Sequence, residues 1–406
     1  MWRFLEKQWS QATLGLLAGR TIASYERDFF TLKTVSLPKT QLAKDLEKLC
    51  KEKDGFLTLE EFYQEELYGE HGYYATKYRN VLTNTPPRWA HSMLHLCKLF
   101  GYHFFAELGP GDGRLAIMTL IEAEKAKYDL SWGGVEIAAP MREAITQNFK
   151  KYGFTAKKEF LVSQVKDMKV KDPCLFIFPY GLDSISPEVF INTSEHLDVP
   201  DSLVGVTIEK GILTEIILSP KQLASRGVSI KKGIYDDGKI QVDLSSWKLV
   251  PMQRAYIAPK VLHAVKDVVE KLPSTSRLCI IDEFRTDRGN YVSSHLLAPR
   301  NLLATERDCV DLVDGYERIG KTDYYFPFYL KSFLGFLKSL GIEVEYVDSE
   351  YYAAQILSTV KELPKETKLP GAYSQVIITA PLKGKKLAEK LDFPLDPSDL
   401  RTRIRS

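Results

Sequence analysis

Apolar positions along the chain follow first a helical rhythm, then a strand rhythm. Leu42, Leu46 and Leu49 recur at helical spacing with Lys and Glu between them, and Asp54-Gly55 closes that stretch, so residues 1–55 read as mostly helical. A second helix restarts within Phe56–Phe62, with Thr58 as N-cap and Glu61 at the capping-box position. Phe62–Tyr74 then holds five aromatics in thirteen residues, with Gly69 and Gly72 among them. This predicts a packed loop that acts as a lid. Trp89–Phe100 is an amphipathic helix leading to the apolar run Tyr102–Phe105, and Leu115–Ile121 is compatible with a helix. Short strands follow at Gly133–Ile137 and Phe160–Val162, with a helix over Pro140–Lys150 between them. Cys174–Phe178 is nearly all apolar, as a buried parallel strand should be.

The pattern changes at 203–257. Val204–Ile208 and Thr214–Leu218 alternate and are β-branched, and Asp237-Gly238 is a hairpin signal, which predicts an antiparallel β insertion. Val261–Leu272 is an amphipathic helix and Leu278–Asp282 a second buried strand. Residues 285–330 hold few regular signals, as a substrate-facing excursion would. Phe333–Leu340 is a helix stopped by Gly341, and Ile342–Val347 and Gln375–Thr379 read as closing strands. The organisation expected is an N-terminal helical region with the aromatic lid over 1–100, an α/β domain over 101–381 and a basic tail over 382–406.

Composition narrows this little. The 406 residues can bury a large core, and 44% hydrophobic with 27% charged residues is usual for a soluble globular protein. A net charge of +2 gives no whole-chain argument for nucleic acid, and no apolar run is long enough to span a bilayer. Cys50, Cys97, Cys174, Cys279 and Cys309 are scattered without a C-x-x-C, which predicts free thiols in a reducing compartment. The cytoplasm is the first reading. Arg3, Lys7 and Arg20 among Ser and Thr make the mitochondrial matrix the alternative.

The chemistry concentrates at Ala106-Glu-Leu-Gly-Pro-Gly-Asp-Gly-Arg-Leu115. Strand, glycine turn and helix make the layout of a Rossmann-like nucleotide site. Gly109, Gly111 and Gly113 can take positive φ and admit a ligand close to the backbone. A dinucleotide fingerprint would place its third glycine where Arg114 stands. The two-residue spacing, with Glu107 at the strand end, suits S-adenosylmethionine (SAM), which carries an ammonium and a sulfonium in place of a pyrophosphate. Glu136, at the end of the second strand, is placed to accept hydrogen bonds from ribose hydroxyls. Pro179–Asp183, after the buried strand, is where groups facing a transferred methyl should lie. His91 and His95 share a helical face, but no carboxylate or cysteine completes a metal site at recognisable spacing, so they read as ordinary helix histidines. Lys385, Lys386, Arg401, Arg403 and Arg405 make the tail basic, a solvated tail by default.

Four segments resemble the SAM-dependent methyltransferases related to the mitochondrial complex I assembly-factor arginine methyltransferase and its bacterial relatives. Leu67-Tyr-Gly-Glu-His-Gly-Tyr-Tyr74 resembles the family's early segment, and Glu107–Leu115 its glycine loop, including Gly-Pro-Gly. Val135-Glu-Ile-Ala-Ala-Pro-Met-Arg142 is similar to its Val-Glu-x-Ser-Pro-x-Leu-Arg segment, with one residue more. Gly320-Lys-Thr-Asp323 is similar to its Gly-x-x-Asp segment. Order and spacing agree over about residues 56–345. The resemblance implies a Rossmann-like SAM-dependent methyltransferase sheet with the helical N-terminal region and the β insertion, and a protein side chain of arginine type as acceptor.

The expected cofactor residues are Glu107, Gly109, Pro110, Gly111 and Gly113 at the methionine end and Glu136 at the ribose, with Ile137, Phe178 and Tyr74 beside them. Asp183 and Tyr180 are the catalytic candidates. Asp282, Glu283 and Asp323 are the substrate-facing ones, and no metal is expected. The family's Asn-Glu-Leu-x-Asp segment reads Pro179-Tyr-Gly-Leu-Asp183 here, and its later Thr, His and Asp read Tyr325, Pro327 and Tyr329. Its Asp-Tyr-Gly becomes Asp282-Glu-Phe284. Two alternatives follow: a catalytically silent SAM-binding scaffold in complex assembly, suggested by the missing Asn-Glu pair, and an RNA methyltransferase, suggested by the basic tail.

Overall fold

The structure is a computed structural model that describes residues 32–77, 87–179, 181–182, 185–194, 196–197, 199–245, 254–285, 316, 319, 328–364, 374–385 and 391–394. The chain opens with a strand at Thr34–Ser36 (β1), a helix at Gln41–Glu52 (α1) and a strand at Leu57–Thr58 (β2). Thr58 then caps the helix Leu59–Tyr68 (α2) in a complete capping box with Glu61. The aromatic stretch is therefore helical where a loop was expected. Leu59, Phe62, Tyr63, Glu66 and Leu67 are buried at i, i+3, i+4, i+7 and i+8, so the rings form the inner stripe of a helix. Short α3 (Tyr73–Lys77) and long α4 (Pro87–Phe100) follow.

The central sheet is built from β3 (Phe104–Leu108), β4 (Ser131–Val135), β5 (Lys158–Val162) and β6 (Leu175–Pro179), with α5 (Arg114–Lys125) after β3 and α6 (Ala139–Lys151) after β4. Between β6 and the next central strand come β7 (Glu188–Ile191), β8 (Ser202–Glu209), β9 (Ile212–Ile217), α7 (Pro220–Ser225), β10 (Ser229–Lys231), β11 (Ile234–Asp236), β12 (Ile240–Asp243), β13 (Arg254–Ile257) and α8 (Pro259–Lys271). The sheet resumes with β14 (Arg277–Arg285). The chain continues through β15 (Phe328–Tyr329), α9 (Leu330–Ser339), β16 (Val344–Ser349), α10 (Glu350–Ile356), β17 (Ser374–Thr379) and β18 (Leu391–Pro394).

The central order is β16-β17-β14-β6-β3-β4-β5, with β15 beside β14. Strands β5, β4, β3, β6 and β14 are parallel, and β17 runs antiparallel to both its neighbours. Counted along the chain within the seven, the order is 3-2-1-4-5-7-6. The direction of progression reverses between β3 and β6, and the carboxyl ends at such a switch point are where ligands bind in sheets of this kind. Alternation along the strands covers both faces. Phe105, Leu175 and Ile177 face α4, α5 and α6, while Phe104, Phe176 and Phe178 face α8 and α9.

The expected first region is shared between two layers. Trp89 Nε1 on α4 donates to Glu350 Oε1 at 2.9 Å, and Ser92 Oγ donates to the Ala354 carbonyl at 2.9 Å, so α4 belongs to the central sandwich. By contrast β1 pairs with β9 and β2 with β8, in one antiparallel sheet with β7 and β13. The insertion thus begins at β7, ahead of the expected residue 203, because Glu188–Ile191 is too short to stand out in sequence. A second, four-stranded sheet (β10-β11-β12-β18) recruits Leu391–Pro394 from the tail, so part of the expected solvated tail is a paired strand. Cys50, Cys97, Cys174 and Cys279 are free and buried, and Cys309 lies outside the described residues. Among the described residues no helix is long and apolar enough to cross a membrane.

Candidate functional site

At the carboxyl end of the switch point stands the turn after β3. Gly109, Gly111 and Gly113 take φ of +69°, +59° and +76°, where a Cβ would be strained. The Gly109 N–H donates to the Val135 carbonyl at 2.8 Å, which ties the turn to the end of β4. An ideal Cβ on Gly109 would lie 3.6 Å from the Gly181 Cα, so the turns after β3 and β6 touch at the switch point. Gly113 stands at the N-cap of α5 with no side-chain cap. Asp112 Oδ1 accepts from Arg114 N at 3.1 Å, and Asn148 Nδ2 of α6 donates to the Asp112 carbonyl at 3.0 Å.

Two carboxyls flank this turn. Glu107 is fully buried in β3, and its Oε1 accepts from Trp132 Nε1 at 2.7 Å while its Oε2 has no partner. Burial pushes its pKa up to about 8, the Trp132 hydrogen bond works against that, and the charge on Asp112 adds to it. Glu136 follows β4 and is 6% exposed. It accepts from Gly111 N at 3.2 Å through Oε2 and from Ala138 N at 2.9 Å through Oε1. Burial raises its pKa to about 7, held from going higher by those N–H groups and by Arg142. Arg142 Nη1 donates to the Glu136 and Ile137 carbonyls at 2.7 and 2.6 Å and so fixes the turn after β4. Ile137 itself is 46% exposed at the rim.

The structure therefore brings together Glu107, Gly109, Pro110, Gly111, Gly113, Glu136 and Ile137. Tyr74 stacks on Tyr68 with centroids 5.1 Å apart and packs in one apolar cluster with Ala138 and Met141, just beyond Glu136. Phe178 contributes backbone to β6, but its ring lies in the core 5.2 Å from that of Phe176. Asp282, expected to face a substrate, is 1% exposed, and its Oδ2 accepts from Leu182 N at 2.8 Å, tying the turn after β6 to β14. Tyr180, Asp183 and Asp323 lie outside the described residues, as does the side chain of Glu283. His91 and His95 each have a separate partner. His91 pairs with Glu122 at 3.2 Å, and His95 Nε2 lies 2.6 Å from the Val360 carbonyl.

Sequence reasoning missed Trp132, and it singled out the segments holding Arg142 and Gly181 without giving those two residues a role. A signal existed for the first. Gly133-Gly134 inside a strand marks a place where something comes close to the backbone. An ideal Cβ on Gly133 would lie 2.4 Å from the Phe160 ring, and one on Gly134 would lie 2.4 Å from the Trp132 ring.

No protein family model and no curated protein matches the sequence. Two crystal structures from Burkholderia thailandensis, members of one superfamily, share the fold. An uncharacterized protein is 14% identical, with 87% of this chain and 98% of that chain covered and a TM-score of 0.58. A second, bound to S-adenosyl-homocysteine, is 14% identical, with 87% and 97% covered and a TM-score of 0.57. The fold is thus a Rossmann-like methyltransferase sheet carrying a helical N-terminal part and an antiparallel β layer.

Proposed function

We propose that this chain is a SAM-dependent methyltransferase. The observation that carries the reading is the pair of buried carboxyls, Glu107 and Glu136, on either side of a turn with three left-handed glycines at the switch point. The unpartnered Glu107 Oε2 is suited to a cationic group, and a buried carboxylate oxygen gains most from a charged donor. The bound S-adenosyl-homocysteine of the second Burkholderia protein supports the same choice of ligand.

SAM supplies a methyl group already activated on a sulfonium. The chain's part is positioning and electrostatics. Glu107 and the turn Gly109–Gly113 hold the methionine end. Glu136, kept in place by Gly111 N and Ala138 N, offers its remaining lone pairs to ribose hydroxyls, with Ile137 at the rim and Tyr74 behind. Asp183 and Tyr180 face the acceptor, Asp183 orienting its proton. The acceptor is a protein side chain of arginine type, a reading that rests on the sequence resemblance. Glu283 and Asp323 are its substrate-facing acids, while buried Asp282 holds the turn after β6 through Leu182 N and does not face the acceptor. The free thiols fit the cytoplasm or the mitochondrial matrix.

Calorimetric titration with SAM and S-adenosyl-homocysteine tests the cofactor. Micromolar binding, about −8 kcal/mol, is expected, and no binding by folded, ligand-free protein overturns the reading. Labelled-methyl transfer to protein acceptors tests the rest. Binding without any product supports the silent scaffold instead, and salt-sensitive transfer to RNA supports the nucleic-acid alternative.

A further inference from the structure

Glu107 and Gly134 are direct partners in the parallel β3–β4 register, so the position opposite the carboxylate carries no side chain. Trp132, two residues earlier on β4, points to the same face. Its indole lies over Gly134, where an ideal Cβ would come within 2.4 Å of Cη2 and 2.5 Å of Cζ2. On its other side the indole packs against Phe149 of α6, with centroids 4.8 Å apart. Packed against Gly134 and Phe149, the ring presents Nε1 to Glu107 Oε1 at 2.7 Å. The other oxygen, Oε2, is buried without a partner. A carboxyl kept only for packing would leave a cost of desolvation with nothing to offset it.

We propose that Trp132 is a positioning residue for the cofactor: it holds one oxygen of Glu107 and so aims the other at a cationic group of the ligand. This rests on the SAM reading of the same site. Trp132 touches Glu107, and through it acts on the ligand. The charged and polar groups that act on the Glu107 carboxyl, among the described residues, are Asp112 of the glycine turn and Trp132 itself. Asp112 is an acceptor paired with Arg114 at 3.0 Å, and the indole N–H is the one donor on the carboxyl among the described residues. Losing that donor makes the charged form of Glu107 harder to reach, and a cation then binds well only at higher pH.

The test is SAM titration by calorimetry between about pH 6 and 9 with the parent chain, Trp132→Phe and Glu107→Gln. The parent's affinity should climb with pH and level off near Glu107's pKa of about 8. Trp132→Phe keeps a ring over Gly134 but no donor. It should weaken SAM roughly tenfold at neutral pH and move the level-off upward by about one unit. Glu107→Gln should remove that step, while the Glu136 step, near pH 7, stays in all three proteins. A folded Trp132→Phe with the parent's affinity and pH profile overturns the positioning role and leaves the cofactor reading intact. A parent that binds neither SAM nor S-adenosyl-homocysteine overturns both. A check that needs no variant uses the parent with isotope-labelled tryptophan. One indole N–H resonance should shift with the Glu107 midpoint and again on adding SAM, and no response in any indole resonance overturns the proposal.

Discussion

Two places among the described residues bury carboxyl groups of Glu, and their surroundings differ. At the carboxyl edge of the central sheet, Glu107 and Glu136 are met by an indole N–H and two backbone N–H groups. Among the described residues no Lys or Arg side chain pairs with their carboxyl oxygens, although Arg142 reaches the backbone carbonyl of Glu136. At the seam between α2, α8 and the insertion sheets, Glu188 is buried beside the acids Glu60 and Glu61 with its own Oε2 unpartnered, and the cations there meet the neighbouring acids. Lys260 Nζ lies 3.3 Å from Glu60, Arg226 Nε 3.1 Å from Glu61, and His263 Nε2 2.9 Å from Asp237. Burial and the Glu60 charge push Glu188 well above the usual carboxylate range. Asp237, despite its burial, is drawn down to about 2 by His263 and by backbone N–H groups. Burial of acids is thus common to both places. What sets the first place apart is its turn of three left-handed glycines at the switch point, while at the seam Lys260 and Arg226 meet the acids next to Glu188 and join the layers.

Four substitutions sharpen or break this contrast. The largest effect is expected for Glu136→Ala, which should weaken SAM by up to ~100-fold, on the order of 3 kcal/mol for a charged hydrogen-bond acceptor. Unchanged affinity in a titration would remove the ribose assignment. Next is Gly133→Ala, whose Cβ would stand 2.4 Å from the Phe160 ring. It should cost about 1–3 kcal/mol of stability by overpacking, read from urea unfolding, and a neutral result would mean that β5 moves freely. Third is Glu188→Gln at the seam. A carboxyl whose folded pKa is raised stabilises the fold fully below its unfolded pKa, and that contribution is lost as pH rises toward the folded value. The parent should therefore lose stability upward from pH 4.5, the ordinary value for Glu. The amide should be steadier at pH 8 by about 1–2 kcal/mol, and parallel stability–pH curves would contradict this. The smallest effect is that of Thr58→Ala, about 1 kcal/mol through loss of the α2 cap, with no effect on SAM affinity. A fall in affinity would show that the seam and the cofactor site are coupled.

Much of this was legible before any coordinates. The run Phe104–Leu108, the glycine turn and the helix after it are local events, set by apolar alternation and by residues that tolerate positive φ. The capping box at Thr58 and Glu61 stands as read, because three residues suffice to make it. The aromatic stretch after it reads as a loop from its glycines and tyrosines, yet Leu59, Phe62, Tyr63, Glu66 and Leu67 carry the i, i+3, i+4, i+7, i+8 spacing of a helix. Short strands such as Glu188–Ile191 and Leu391–Pro394 left no signal, since a strand of four residues acquires its identity from its partner.

The sequence by itself determined the order of elements and the acidic, glycine-rich character of the site, because periodicity, capping and backbone freedom act over a few residues. Only the tertiary structure decided how distant segments meet. It set β1 and β2 beside strands about 180 and 150 residues away, divided the N-terminal part between two layers, and made Asp282 the anchor of Leu182. It also passed the Trp132 indole across Gly134 to one oxygen of Glu107 and left the other unpaired. Those outcomes depend on strand register and on burial, which fix the partners and the pKa of a side chain and which no stretch of sequence encodes alone.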